Sequence, residues 1–238
     1  MIHLVWHKKR LIILKPNIEG LSDYHRFLFE LSRSFDSVGN QAERKQLLTQ
    51  TLKLWRGWGN DYEVARILGH LSDASRLMDL PKEGVQLAQE ALEIYERLGD
   101  TKEQVLCLIK LGWLLESDKQ LDAAEEAISR AISLLPETGQ QYHVCESHRV
   151  LGEIYRSKGK TEEVIHHFEV ALGIASSFDW HHDLFWIYYS LAGLFLDGGG
   201  FDDANAHIER AKLHTANRAY HLGRAMELQA RVWYNQQT

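Results

Sequence analysis

Thirteen histidines and two cysteines among 238 residues raise the question of a metal centre. His3 and His7 stand one helical turn apart, while His166-His167 and His181-His182 are adjacent pairs. A zinc site needs three or four convergent ligands, usually marked by spacings such as C-x2-C. Cys107 and Cys145 have no such spacing, and neighbouring histidines on a helix diverge by about 100°. Gly159-Lys160-Thr161 imitates the tail of a phosphate-binding loop, but the glycine that motif needs five residues earlier is Ile154. Asp202-Asp203 and Glu162-Glu163 could serve acid–base chemistry, yet both fall at predicted helix starts, where acids offset the helix dipole. No Ser, Cys or Lys lies in a motif that would activate it as a nucleophile. The sequence therefore predicts no catalytic residue, no cofactor and no metal, and the chain is read as a non-enzyme.

The elements that carry these residues are helices with a recurring pattern. Leu108, Leu111, Gly112 and Leu115 make one apolar stripe at helical spacing. After the polar break Ser117-Asp118-Lys119-Gln120, the residues Ala124, Ile128 and Ala131 restart it, and Pro136 is expected to stop it. Gly112, Ala124 and Ala131 are small where the two helices would press together. Leu151-Gly152, Tyr155, Gly159, Val164, Phe168 and Ala171 repeat the pattern 40 residues on, and Leu191-Ala192, Phe195, Gly199, Ala204, Ile208 and Ala211 repeat it again. Upstream, Leu68-Gly69 opens a copy continued by Gly84, Ala88 and Ala91, with an apparent three-residue insertion near Met78 to Pro81. Leu28, Leu31, Ser32, Phe35 and Gly39, then Leu48 and Thr51, form a first copy, and Met226, Ala230 and Trp233 a last opening helix. A hairpin of this kind cannot bury both apolar faces, so the copies must stack.

The predicted organisation is a non-repeat segment over residues 1–20, repeats over about 22–58, 61–98, 102–137, 141–177 and 183–215, and a capping helix over 217–236. Gly99-Asp100 reads as a helix stop, with Thr101 and Gln104 at the spacing of a capping box. Residues 1–20 carry Lys8, Lys9, Arg10 and Lys15, but only Leu11 to Leu14 follow as an apolar core, too short for an export signal. No apolar run reaches the roughly 18 residues that a membrane helix requires. A formal net charge of −6 argues against a general nucleic-acid binder, which would show a basic stripe. Two cysteines at apolar positions suit reduced thiols and a cytoplasmic location.

The stretch Leu108 to Pro136 fills the large and small positions of the tetratricopeptide repeat pattern, and the chain resembles that family. The 40-residue period and the phrase Ala91 to Asp100 are similar to the longer repeat of kinesin light chains and of sensor arms in NB-ARC and NACHT signalling NTPases. The resemblance implies an all-α, right-handed α-solenoid of about five helix-turn-helix repeats plus a C-terminal capping helix. It also implies that first helices line an inner groove and bind ligands through positions facing away from the glycine contact. Carried over with Gly112, Gly152 and Ala192 as the reference, those positions include Trp113, Glu116, Arg149, Glu153, Arg156, Trp186 and Tyr189. Upstream they include Arg26, Phe29, Arg33, Arg66, His70 and Asp73. A chaperone-tail clamp is not expected, since Ile109 and Trp113 replace its Lys/Asn set. The function implied is a protein- or extended-peptide-binding scaffold, of the kind that serves as the sensor arm of a larger signalling protein. The alternative is a small-molecule or signal-peptide sensor that changes curvature on binding.

Overall fold

Twenty residues separate each left-handed backbone position from the next, and this sets the architecture. Residues 59, 79, 99, 119, 139, 159, 179 and 199 all have positive φ, between 52° and 76°. Five of them are glycines; the other three are Asp79, Lys119 and Asp179. Each ends a helix of 17 or 18 residues, because a left-handed residue turns the chain out of the helix; the N–H groups of Gly59, Asp79, Lys119, Gly139, Gly159, Asp179 and Gly199 still reach a last-turn carbonyl.

The computed structural model describes residues 40–215 and 218–237. The expected first helix from Ser22 to Phe35, the positions Arg26, Phe29 and Arg33, His3 and His7, and the segment 1–20 lie outside the described residues. The chain divides into two compact units, one ending at Leu98 and one beginning at Gly99.

In the first unit, α1 (Gln41–Trp58), α2 (Asp61–Leu77) and α3 (Pro81–Leu98) pack in sequence. Asn40 and Asn60 cap α1 and α2, each side-chain oxygen accepting from the backbone N–H of Glu43 and Glu63 respectively. The turn between α2 and α3 is Met78 to Leu80. It has the same three-residue length as every other within-hairpin turn described, so no insertion exists. The register of α2 is therefore set by Ser72, forty residues before Gly112, and not by Gly69. Ser72 serves as the small residue because it is fully buried and its hydroxyl folds back onto the Gly69 carbonyl at 2.8 Å.

The second unit holds α4 (Thr101–Ser117), α5 (Leu121–Thr138), α6 (Gln141–Ser157), α7 (Thr161–Ser177), α8 (His181–Asp197), α9 (Phe201–Leu213) and α10 (Ala219–Asn235). Consecutive helices pair as hairpins, and the first helices α4, α6, α8 and α10 also touch their neighbours directly. Asp100, rather than Thr101, caps α4 by accepting from Glu103 N–H at 3.1 Å. Helix α5 runs through Pro136 to Thr138 and is closed by Gly139, whose N–H reaches the Leu135 carbonyl at 3.1 Å. Proline in a last turn sacrifices one hydrogen bond but does not end the helix. The close contacts fall where small residues were expected: a Cβ on Gly152 would stand 2.6 Å from Phe168 Cδ1, and one on Gly112 2.6 Å from Ile128 Cγ1. Helix α10 packs through Ala225, Leu228 and Val232, whereas Met226 and Trp233 of the expected stripe are 58% and 62% exposed. Both cysteines are buried and neither is in a disulfide, and burial pushes the Cys145 thiol up to about 12. Among the described residues there is no strand and no helix long and apolar enough to cross a membrane. The fold is all-α, as the repeat pattern predicts.

Candidate functional site: a linked row on the first helices

In the first unit, Arg66 and the register change decide which predicted residues stand together. Arg66 is tied to Glu63 of its own helix, with Nε 2.9 Å from Glu63 Oε2. With Ser72 as the reference, Arg66 and Asp73 stay in the series, each one place earlier in it, His70 drops out, and Gly69 and Arg76 enter. His70 entered the expected set only through the misplaced glycine.

In the second unit the predicted residues lie on consecutive first helices and are joined from one helix to the next. Trp113 on α4 is half-buried, and the Arg149 guanidinium of α6 lies over its ring, 4.7 Å from the centroid. Arg149 Nε in turn stands 3.7 Å from Asp183 Oδ1 on α8, and Nη2 3.9 Å from Glu146 Oε1. Glu116 of α4 accepts from Ser157 Oγ of α6 at 2.6 Å, with Lys119 Nζ 3.4 Å away. Glu153 of α6 accepts from Ser190 of α8 and pairs with Arg156 at 2.9 Å. Tyr189 of α8 carries the Arg224 guanidinium of α10 at 5.3 Å from its ring centroid, and burial raises its phenol pKa. Trp186 meets Tyr189 edge-on at 5.6 Å and His221 edge-on at 5.7 Å.

Ser157, Asp183, Ser190 and Arg224 complete the row and were not in the expected set. Their separations from their partners are 41, 34, 37 and 35 residues, close to one repeat but never equal to it. Complementary residues about one repeat apart were the available signal. The pairing also changes the chemistry expected of Arg149. Its side chain is 15% exposed and already faces two carboxylates, so it offers a planar, charge-balanced surface rather than a free cation. Such a row can take apolar and planar groups against Trp113, Trp186 and Tyr189 and offer hydrogen bonds from half-exposed polar atoms. Among the described residues no group of three or more His, Cys, Asp or Glu could hold a metal ion.

The opposite side of the α5–α6–α7 stack is stapled differently. Tyr155 donates to Glu125 at 2.7 Å, Lys158 Nζ bonds Asp122 and Glu125, each at 2.6 Å, and the His167 ring stacks on Tyr155. These contacts hold both carboxyls below their ordinary range, hydrogen bonding to Lys158 being the main cause.

A family model described as tetratricopeptide repeat matches residues 63–137. No curated protein matches the chain in sequence. Among solved structures, a Rap protein complexed with Competence and Sporulation Factor superposes with a TM-score of 0.78 at 14% identity, over 90% of this chain and 63% of the other. The signal transduction ATPase with a tetratricopeptide repeat sensor from Pyrococcus horikoshii gives 0.70 at 16% identity, over 89% of this chain and 32% of the ATPase. A putative kinesin light chain from Podosopora anserina, built of nearly identical TPR-like repeats, gives 0.61 at 18% identity, over 82% and 97%. The chain thus spans less than two thirds of the Rap protein and about a third of the ATPase. Residues 63–137 match the tetratricopeptide repeat, within an all-helical fold shared with TPR-like solenoids.

Proposed function

We propose that this protein is a non-catalytic scaffold that holds an extended peptide or a partner's chain segment on the first-helix row of its second unit. The observation that carries the reading is the linked row itself: Trp113, Arg149, Glu153, Trp186 and Tyr189 lie on three successive first helices and touch residues of the next helix along. An extended ligand crossing such helices meets Trp113 on the first, the Arg149–Glu153 pair on the second, and Trp186 with Tyr189 on the third, which suits recognition by a few large side chains within a polar surround. The Rap structure, solved with a factor bound, and the ATPase, whose repeats are called a sensor, support a sensing role of this kind. Arg66 and Asp73 give the first unit its own share of first-helix polar positions.

The test is selection of binders from a random peptide library displayed on phage, followed by affinity measurement on variants. Trp113→Ala and Tyr189→Ala should each weaken selected peptides by tenfold or more, the usual effect of losing a central aromatic anchor. Exposed Glu126→Ala on α5 should leave affinity unchanged. Peptides that tolerate both aromatic losses but fail with Glu126→Ala would move binding to the second helices and end this reading.

A further inference from the structure

A cleft of about 510 Å³, which shares Asp183 with the row, opens beside the N-terminal turns of α6, α8 and α10. Its two most deeply buried polar side chains are Asp183 and His221, each 3% exposed. Both carry an atom with no hydrogen bond: Asp183 Oδ1 and His221 Nδ1. The nearest cation to Asp183 Oδ1 is Arg149 Nε at 3.7 Å, beyond hydrogen-bond reach, so it offsets the charge without occupying the lone pair. Burial lowers the His221 pKa, opposed by a backbone hydrogen bond to Thr215, and Nδ1 itself has no hydrogen bond. In the tautomer with its proton on Nε2, Nδ1 is a bare acceptor. In that tautomer both atoms are buried acceptors, and with Arg149 Nε beyond hydrogen-bond reach a donor from outside the protein would satisfy them.

The walls and the mouth narrow the class. Tyr142 and Trp180 stand edge to face, ring centroids 5.3 Å apart, and present aromatic surface to the cleft. Arg218 at the mouth donates to His182 Nδ1 at 3.0 Å, which leaves His182 with its proton on Nε2. His181 and His214 meet through their Nδ1 atoms at 3.0 Å, so one proton is shared between them and another N–H remains for the cleft. The floor therefore accepts, the walls suit a cation, and the mouth donates.

We propose that this cleft binds a primary ammonium group with an adjoining carbonyl or carboxylate, the ammonium held by Asp183 and His221 and the carbonyl by Arg218 and His182. The chemistry is that of an amino acid or of the free N-terminus of a peptide. It does not rest on peptide capture by the first-helix row, because small amines report on the cleft by themselves.

The experiment uses the full chain with ¹⁵N-labelled histidine, titrated near neutral pH with n-butylammonium, L-leucinamide and N-acetyl-L-leucinamide while the His221 Nδ1 resonance is followed. Butylammonium and leucinamide should bind saturably and shift that resonance, leucinamide more tightly, and the acetylated amide should not. Asp183→Asn should weaken leucinamide at least about tenfold, the cost of losing a charged hydrogen bond. His221→Phe, which keeps the ring stacked on Phe185 at 4.3 Å, should weaken it similarly when read by calorimetry with circular dichroism unchanged. A short peptide amide with a free N-terminus distinguishes the sources: tighter binding than leucinamide assigns the site to a chain end, equal binding to a free amine. Equal binding of the acetylated probe, indifference to both substitutions, or no saturable shift would overturn the assignment.

Discussion

The Arg149 guanidinium lies 4.7 Å from the centroid of the Trp113 ring, one side chain on α6 and the other on α4. The same arginine stands beside Asp183 of α8, so three first helices share one residue. Arg149→Ala removes the cation nearest to a carboxylate that is 3% exposed. We expect a loss of about 3–5 kcal/mol, the range for orphaning a buried charge. Adding Asp183→Asn should recover most of that stability without restoring the planar cover over Trp113. Urea melts of the two singles and the double measure the coupling; additive losses would show that Arg149 and Asp183 do not act as a pair.

Gly152 tests the hairpin contact. Its missing Cβ would stand 2.6 Å from Phe168 Cδ1, closer than any real Cβ contact, and Phe168 is fully buried. Gly152→Ala should therefore cost about 1–3 kcal/mol, and Gly152→Leu more, as overpacking does. Phe168→Leu in the Gly152→Ala background should relieve part of the loss, although Phe168→Leu alone destabilises. Thermal melts read both; an unchanged midpoint for Gly152→Ala would remove the close packing of α6 on α7.

The helices and the small-residue positions Gly112, Gly152 and Ala192 were legible because local chemistry dictates them: helical stripes, polar breaks and a side chain too small to hold two helices apart. The second repeat was misread because Leu68-Gly69 imitates Leu111-Gly112, whereas Ser72 becomes small only by folding its hydroxyl onto its own backbone. Pro136 was read as a stop because proline breaks helices in their interior, but at this distance from the end Gly139 decides. The first-helix row was legible in its residue types and not in its state. Arg149, Glu116 and Glu153 were expected to face a partner; each is already engaged by a diagonal neighbour on the next helix. Those diagonals depend on how helices pack, which no single repeat records.

Lys119 offers a stabilising change. It sits at φ 63°, in a position that the following two hairpins give to Gly159 and Gly199. A side chain with a Cβ pays about 1–2 kcal/mol there, and glycine recovers most of it while giving up some unfolded-state entropy. Lys119→Gly should raise stability by about 0.5–1 kcal/mol. Gly199→Ala should lower it, since Gly199 has φ 76° even though nothing lies within 4 Å of the Cβ that would be added. Matched melts of the two variants check the pair; a Lys119→Gly chain no more stable than its parent would deny the strain.

Acid should loosen the second unit before it reaches the carboxylates. His148 and His167 meet through Nδ1 atoms 2.9 Å apart, and His167 lies flat on Tyr155. Burial, helped by repulsion from His148 and His166, lowers His167 from its ordinary 6.5 to about 4, and burial lowers His148, His182, His207, His214 and His221 in the same direction. A histidine whose folded pKa lies below its unfolded value binds its proton more readily in the unfolded chain. Stability is then fully present above pH 6.5 and falls as the pH drops toward 4. Asp122, Glu125 and Glu209 have lowered carboxyl pKa values, so their contribution disappears only at lower pH still. His167→Phe keeps a ring against Tyr155 and removes the titrating group. It should flatten the fall in melting temperature between pH 6.5 and 4 and leave the later, carboxylate-driven fall in place. Melts at stepped pH on parent and variant decide it: parallel curves through the upper window would show that His167 carries none of the acid sensitivity.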